Sequence, residues 1–205
     1  MSVIKKFMFV FLIINMLGCG ISLILQSGLG SDSITLLNEG IHLKLGVNYT
    51  IAGLIYNGTL LFIALLLNKK NLGLGSCVYV LLAGIFIDFY IYLLLDFNIG
   101  SLGTTIKIMS FIIGHILMCT GFAMLIKFDI GMSPLDVILI YIEDNFRYSY
   151  KVLKTIADVL FLILGIYLGG NIGFGTLFSI LCTGTTISIV SKAISINKKR
   201  YYSSI

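Results

Sequence analysis

The sequence contains no tryptophan, a single proline and few charged residues: 11% of its 205 residues are charged and 58% are hydrophobic. An ordinary soluble domain carries roughly 25% charged residues. With a mean hydropathy of +1.05, the composition excludes a soluble protein and predicts an integral membrane protein. Because tryptophan is absent, anchoring at the membrane interface must depend on Tyr, Lys and Arg.

Motifs for soluble-enzyme chemistry and for metal binding are also missing. There is no Walker A, HExxH or GxSxG motif, and the four cysteines (Cys19, Cys77, Cys119 and Cys182) lie in apolar runs without a CxxC or Cys/His pattern. Asp88 and Asp158 lack the GxGD-type context of an intramembrane protease. We therefore predict a protein that is not an enzyme, with no cofactor, no metal ion and no disulfide. The cysteines are interpreted as packing residues.

Six apolar runs are each close to the ~20 residues that a helix needs to cross a bilayer. They are residues 7–25, 51–67, 74–95, 106–126, 152–168 and 174–190. Residues 31–45 and 133–147 are too polar to cross. In the second of these stretches, apolar residues recur at helical spacing opposite Asp136, Glu143 and Arg147. Both stretches are predicted to be short amphipathic helices that lie at the membrane interface or dip into it as re-entrant helices.

The sequence repeats itself. A shift of 101 positions aligns Gly20 with Gly121 and Tyr49 with Tyr150, and a shift of 100 aligns residues 71–76 with residues 171–176. Each repeat (residues 1–100 and 101–205, in one structural domain) contains three spans and one amphipathic helix. Because three is odd, the second repeat must cross the membrane upside down. The predicted fold is all-α, with six transmembrane helices built from two inverted-topology repeats.

The basic residues predict the orientation. If the N-terminus is cytoplasmic, all of the 14 Lys and Arg residues except Lys44 and Lys107 fall on the cytoplasmic side. Both termini are then cytoplasmic, with residues 198–200 near the lipid headgroups. The net charge of +5 is thereby explained by topology, and we predict no nucleic-acid partner.

Three features resemble a known family: the Gly-rich end of the first span, the Gly131-Met-Ser-Pro-Leu-Asp136 segment, and the Gly-x-Gly-Thr before the last span. Together they are similar to the YczE/YyaS/YitT family of bacterial integral membrane proteins. The resemblance implies a multi-pass fold in the bacterial inner membrane and a role in transport. It implies no reaction.

Candidate site residues come from three sets. The first comprises the starts of the two amphipathic helices, each with a capping residue: Asp32, Ser33 and Thr35, and Ser133, Pro134 and Asp136, with turn glycines Gly30 and Gly131. The start of the second helix could hold an anionic group, whereas at the first the Asp32 carboxylate would compete with an anion. The second is the pair of glycine-rich segments: Gly73, Gly75, Ser76, Gly173, Gly175 and Thr176. The third is intramembrane polar residues: Asn57, Asp88 and Asp158.

Each set also has a structural interpretation. Ser133-Pro134-Leu135-Asp136 is a good helix start, and the glycines can serve tight turns and close packing. Asp158 can pair with Lys154 one turn earlier. Asp88 has no basic residue within a turn, so it is the better candidate for a proton- or cation-coupled site, or else it hydrogen-bonds to a neighbouring helix. His115 is interpreted as an interhelical hydrogen-bonding residue.

The duplication and the interior carboxylates favour a secondary transporter or permease for a small solute, working by alternating access between the repeats. The alternative is a non-enzymatic membrane subunit or sensor that binds a solute or protein and depends on other proteins. The predicted partners are the lipid bilayer and a small solute. Gly165 and Gly169 could pack helices within one copy of the chain or between two copies in a homo-oligomer.

Overall fold

The computed structural model of the chain is helical throughout the residues that it describes, which are 3–67, 72, 74–127 and 133–194. These ranges contain eight α-helices and no strand, with two short 3-10 turns between the fourth and fifth helices. The helices are α1 (Val3–Ser27), α2 (Ser33–Leu45), α3 (Tyr49–Leu67), α4 (Leu74–Leu94), α5 (Thr104–Lys127), α6 (Pro134–Phe146), α7 (Tyr150–Tyr167) and α8 (Phe174–Ala193). Gly73, Gly131 and the basic tail at residues 198–200 lie outside the described residues.

Five of these helices are long and apolar enough to cross a membrane, as expected for a helical membrane protein. The candidate spans in the described residues are Phe7–Ser27, Tyr49–Leu67, Ser76–Phe97, Thr104–Leu125 and Phe174–Ala193. The predicted span at residues 152–168 corresponds to α7, which is not one of the five. α7 carries three charged residues, Lys151, Lys154 and Asp158, in its N-terminal half, more than any of the five spans carries.

The amphipathic stretches form α2 and α6, and each helix begins with a capping side chain. The Asp32 carboxylate accepts a hydrogen bond from the Thr35 amide (3.4 Å), and the Ser133 hydroxyl accepts one from the Asp136 amide (3.2 Å). Pro134 occupies the first turn of α6, where its missing N–H costs nothing. These side chains satisfy backbone donors that a helix start leaves open.

The repeat is visible in where the helices begin. The paired starts are residues 3 and 104 for α1 and α5, 33 and 134 for α2 and α6, 49 and 150 for α3 and α7, and 74 and 174 for α4 and α8. Packing follows the same pairing, because α1 packs on α4 as α5 does on α8, and α2 packs on α7 as α6 does on α3. One contact of the first repeat has no equivalent in the second: α3 packs on α4, whereas α7 and α8 hardly touch within the described residues.

α1 and α5, the first helices of the two repeats, cross antiparallel at glycines. A methyl group added to Gly20 would lie 2.7 Å from the Met118 amide, and one added to Gly121 would lie 2.4 Å from the Leu17 side chain. A shift of 101 residues converts the first of these contacts into the second. The Ser110 hydroxyl donates to the Leu23 carbonyl. Residues later in α1 therefore contact residues earlier in α5, as in an antiparallel pair. The two backbones are therefore in close contact.

The buried core surrounds this crossing. Its members come from α1, α4 and α5: Ile13, Leu17, Ile21, Ile24, Ile87, Phe111, Met118 and Cys119. At the periphery, α2 packs closely on α7, since a methyl group on Gly165 would lie 2.9 Å from the Leu36 backbone. Gly165 thus serves a contact within one copy of the chain.

Candidate functional site

A narrow cavity lies at the start of α2, between α2, α3 and α4. Ile21 of α1 and Phe122 of α5 also line it, and these two residues are equivalent positions of the two repeats. The cavity therefore reaches the boundary between the halves of the chain. It is narrow enough that, in this conformation, it admits molecules of about the size of water. Its polar lining comes from Asp32, Thr35, Asn38, Tyr49, Asn57 and Tyr79.

Several polar atoms at this cavity lack a partner. Asp32 Oδ1 and Asn38 Oδ1 are buried and make no hydrogen bond with the described residues. Asn57 is only 6% exposed, lines the cavity, and its side chain makes no hydrogen bond within the described part of the chain. A buried polar group left unpaired costs about 1–3 kcal/mol. Such a group inside a cavity is a natural contact for a ligand or for water.

Three carboxylates converge nearby, around the hydroxyl of Tyr56. Asp32, Asp136 and Asp158 all lie within electrostatic range of this hydroxyl. Tyr56 itself is 7% exposed, and its hydroxyl has no hydrogen-bond partner among the described residues. Asp32 and Asp136, at the starts of α2 and α6, are therefore both close enough to interact electrostatically with one interior side chain.

Asp158, one of these carboxylates, forms an ion pair with Lys154. Its Oδ1 lies 3.1 Å from Lys154 Nζ and accepts a 2.8 Å hydrogen bond from the Ser33 hydroxyl. The two side chains of the ion pair are 32% and 31% exposed. Asp158, in the second repeat, thus binds the Lys154 ammonium group. Through the Ser33 hydroxyl it also binds the start of α2, in the first repeat.

The equivalent position in the first repeat is built differently. Asn57 replaces Asp158, Gly53 replaces Lys154, and the counterpart of Ser33 is Pro134, which has neither an N–H nor a hydroxyl to donate. The Ser33–Asp158 bond therefore has no symmetric partner, and Asn57 is left facing the cavity, which Gly53 also lines. Where the second repeat has the Lys154 side chain, the first therefore has a glycine beside the cavity.

Asp88 lies away from these groups and binds the first turn of α3. Its two carboxylate oxygens accept hydrogen bonds from the Tyr49 amide (2.9 Å) and the Thr50 amide (2.8 Å), and the Thr50 hydroxyl donates a third (2.5 Å). The hydrogen-bonding alternative for Asp88 accounts for this geometry. No Lys or Arg side chain in the described part of the chain forms an ion pair with Asp88.

The second glycine-rich segment packs against the end of α1. The Gly175 amide donates to the Leu29 carbonyl (2.7 Å), and the Gly173 amide donates to the Thr176 hydroxyl (3.2 Å). A methyl group on Gly30, whose φ is +93°, would lie 2.3 Å from the Thr176 hydroxyl. These residues are absent from the cavity lining. The segment is tied to α2 as well, because the Asn171 amide donates to Glu39 (3.1 Å), and burial raises the pKa of that carboxyl.

The first glycine-rich segment leads into α4. Gly75 belongs to the first turn of α4, and Ser76 is 1% exposed. His115 is likewise buried, with its Nε2 3.5 Å from Cys119 Sγ, and it does not line the cavity. No group of His, Cys, Asp or Glu residues in the described ranges could hold a metal ion.

Five residues around the cavity were not predicted from the sequence: Asn38, Tyr49, Gly53, Tyr56 and Tyr79. A position-by-position comparison of the repeats would have marked four of them as different. The second repeat has Leu139, Lys154, Ala157 and Ser179 at the positions of Asn38, Gly53, Tyr56 and Tyr79. Tyr49 carries no such signal, because its counterpart is also a tyrosine, Tyr150.

Comparisons with known proteins agree with the membrane fold. A family model described as "Family of unknown function (DUF6198)" matches residues 4–192. The chain is 28% identical over 185 residues to the uncharacterized protein YyaS of Bacillus subtilis, covering 90% of this chain and 91% of YyaS. It is 26% identical over 197 residues to an uncharacterized protein of Haemophilus influenzae, covering 89% and 81% of the two chains.

A third relative carries the word membrane in its name. The chain is 27% identical over 112 residues to the uncharacterized membrane protein YczE of Bacillus subtilis, covering 54% of this chain and 50% of YczE. No solved structure matches the chain. The predicted resemblance to a YczE/YyaS-type family is confirmed.

Proposed function

This chain belongs to the DUF6198 family, and we propose that it is a secondary transporter that moves a small solute across the bacterial inner membrane. In this proposal its two repeats are inverted in the bilayer, and they alternate between states open to one side and to the other. The partners are the bilayer and the solute, and no enzymatic step is involved.

The observation that carries the proposal is the crossing of α1 and α5. Exchange of the repeats converts the Gly20–Met118 contact into the Gly121–Leu17 contact, which is what a twofold axis between antiparallel helices produces. An axis of this kind in the membrane plane gives a protein two near-equivalent states, and transporters with inverted repeats bind their solutes where the repeats meet. The cavity between Ile21 and Phe122 lies at such a boundary.

Inverted repeats require α7 to cross the membrane, as a sixth span. Its 18 residues are about long enough to do so with adjustment of the bilayer. Two of its three charged side chains, Lys154 and Asp158, neutralise one another, which reduces the cost of placing them within the bilayer. With six spans, both termini lie on the cytoplasmic side, where the basic residues favour them.

Alternating access can be tested by the labelling of one cavity residue from each side of the membrane. Ala83 lines the cavity on α4 and is 6% exposed, whereas Leu81 on the same helix is 77% exposed on the apolar surface. We expect a cysteine at position 83, in a variant lacking the four native cysteines, to react with a membrane-impermeant maleimide from either side, in right-side-out and in inside-out vesicles. The matched Leu81→Cys control should react from neither side, because lipid covers it.

The same experiment separates the two candidate functions. Labelling of position 83 from one side only, at every solute concentration tried, would contradict alternating access. That result would favour the second candidate, a subunit or sensor that presents its cavity to a single compartment.

A further inference from the structure

We infer that the cavity binds a small organic cation through a protonated amine, with the Asp32 carboxylate as its counter-ion. The inference rests on the proposed function only in treating this cation as the transported solute. Binding itself can be measured without transport.

The unpaired atoms at the cavity are suited to a hydrogen-bond donor. Asp32 Oδ1 and Asn38 Oδ1 are acceptors without partners in the described residues, and the side-chain amide of Asn57 belongs to a residue that lines the cavity. An ammonium group has three N–H donors and no acceptor. Asn57 is 6% exposed and makes no hydrogen bond among the described residues, so its amide is available to a ligand in the cavity.

Charge also favours a cation. Asp32 forms no ion pair within the described residues. The α2 N-terminus beside it contributes only about half a positive charge, which leaves the site negative. An anion would have to compete with Asp32 for the same helix end, since that carboxylate already accepts the Thr35 amide.

The second repeat shows which group fits this position. There the Lys154 ammonium sits 3.1 Å from a carboxylate oxygen of Asp158. The residues equivalent to Lys154 and Asp158 are Gly53 and Asn57, and both line the cavity. The second repeat therefore carries a tethered ammonium and a carboxylate where the first carries a glycine and an uncharged amide, and the carboxylate at the cavity is Asp32, where the second repeat has Ser133.

Aromatic side chains select an organic cation over a hydrated inorganic one. Tyr49, Tyr79 and Phe122 form part of the cavity wall. Aromatic faces attract ammonium groups and contact their attached carbons. Because the cavity is narrow, a compact amine is the appropriate probe.

The test is binding of methylammonium to the purified protein in detergent, measured by calorimetry and by the rise in melting temperature. Acetate, of similar size and opposite charge, and sodium chloride are the comparison ligands. We expect methylammonium to bind and acetate not to bind. Binding of acetate alone would overturn the inference, and so would binding of sodium ions without methylammonium.

Two variants locate the site. Asp32→Asn removes the charge but keeps a good helix cap, so the protein should fold and its methylammonium affinity should fall at least about tenfold. Gly53→Lys should abolish binding by placing a tethered ammonium in the cavity, as Lys154 does in the second repeat. Asp96→Asn removes an exposed carboxylate outside the cavity and should leave the affinity unchanged. Equal affinity in the native protein and Asp32→Asn would overturn the inference.

The outcomes for binding and for transport are separable. Methylammonium that binds through Asp32 but is not moved into proteoliposomes would contradict the proposed function and leave the cation site intact. Transport of a solute that Asp32→Asn does not affect would support the transporter and overturn the cation site.

Discussion

The two repeats start their helices at equivalent positions but differ at the place where a site is expected. The second repeat fills this position with the Lys154–Asp158 ion pair and a hydrogen bond from Ser33. The first repeat has Gly53 and Asn57 there, and a cavity. The shared residues therefore explain the fold, and the residues that differ between the repeats point to the site.

A second difference concerns the outer helices. In the first repeat Asp88 on α4 binds the start of α3, and the two helices pack together. The equivalent of Asp88 in the second repeat is Ser188, and α7 hardly touches α8 within the described residues. The start of α7 is capped by Ser149, from its own chain segment. We expect α7 to be the less constrained of the two helices.

The largest effect should come from Asp88→Ala. The substitution removes three hydrogen bonds and leaves the Tyr49 and Thr50 amides without their acceptor. We expect the free energy of unfolding to fall by about 2–4 kcal/mol, measured by unfolding in detergent with increasing dodecyl sulfate. Ser188→Ala is the matched control and should cost less than about 0.5 kcal/mol. Equal losses in the two variants would remove this difference between the repeats.

A smaller effect is expected at the crossing of α1 and α5. A methyl group on Gly20 would lie 2.7 Å from the Gly114 carbonyl oxygen and the Met118 amide, so two backbones must separate. At the equivalent Gly121 the nearest group is the Leu17 side chain, which can repack. Within the ~1–3 kcal/mol typical of overpacking, we expect Gly20→Ala near the upper end and Gly121→Ala near the lower, by the same unfolding assay. The opposite order would show that Leu17 is as rigid as the backbone.

Much of this fold could be predicted from the sequence because its signals are local. Apolar runs of membrane length predicted the five helices that are long and apolar enough to cross a membrane, and Ser133 and Pro134 predicted the start of α6, since caps and hydropathy depend on neighbouring residues. The shift of 101 positions predicted which helices are equivalent. Of the cavity lining, Asp32, Thr35 and Asn57 were among the candidates.

The rest of the site depends on contacts between distant residues. Asp88 was a candidate for ion coupling because no basic residue is near it in sequence, but its partners, Tyr49 and Thr50, lie about one helix earlier in the chain. Likewise, the segment at residues 173–176 packs on Leu29 and Gly30, far away in sequence. Such contacts depend on how the helices pack in three dimensions, and the order of residues along one chain does not reveal that packing.

The smallest effect should follow from Lys154→Ala, which makes the second repeat resemble the first at Gly53. The ion pair joins residues one helical turn apart and both side chains are about one-third exposed, so solvent screens it and its contribution is about 0.5 kcal/mol. Asp158 would retain the Ser33 hydroxyl. We expect Lys154→Ala to lose less than about 1 kcal/mol of unfolding free energy, and added methylammonium should restore part of that loss. Methylammonium should not restore the stability lost in Asp158→Asn, because this variant lacks the carboxylate that would bind it in place of Lys154. A loss above about 2 kcal/mol without recovery would mean that Lys154 is needed for folding, and its ammonium would then be no guide to the ligand of the first repeat.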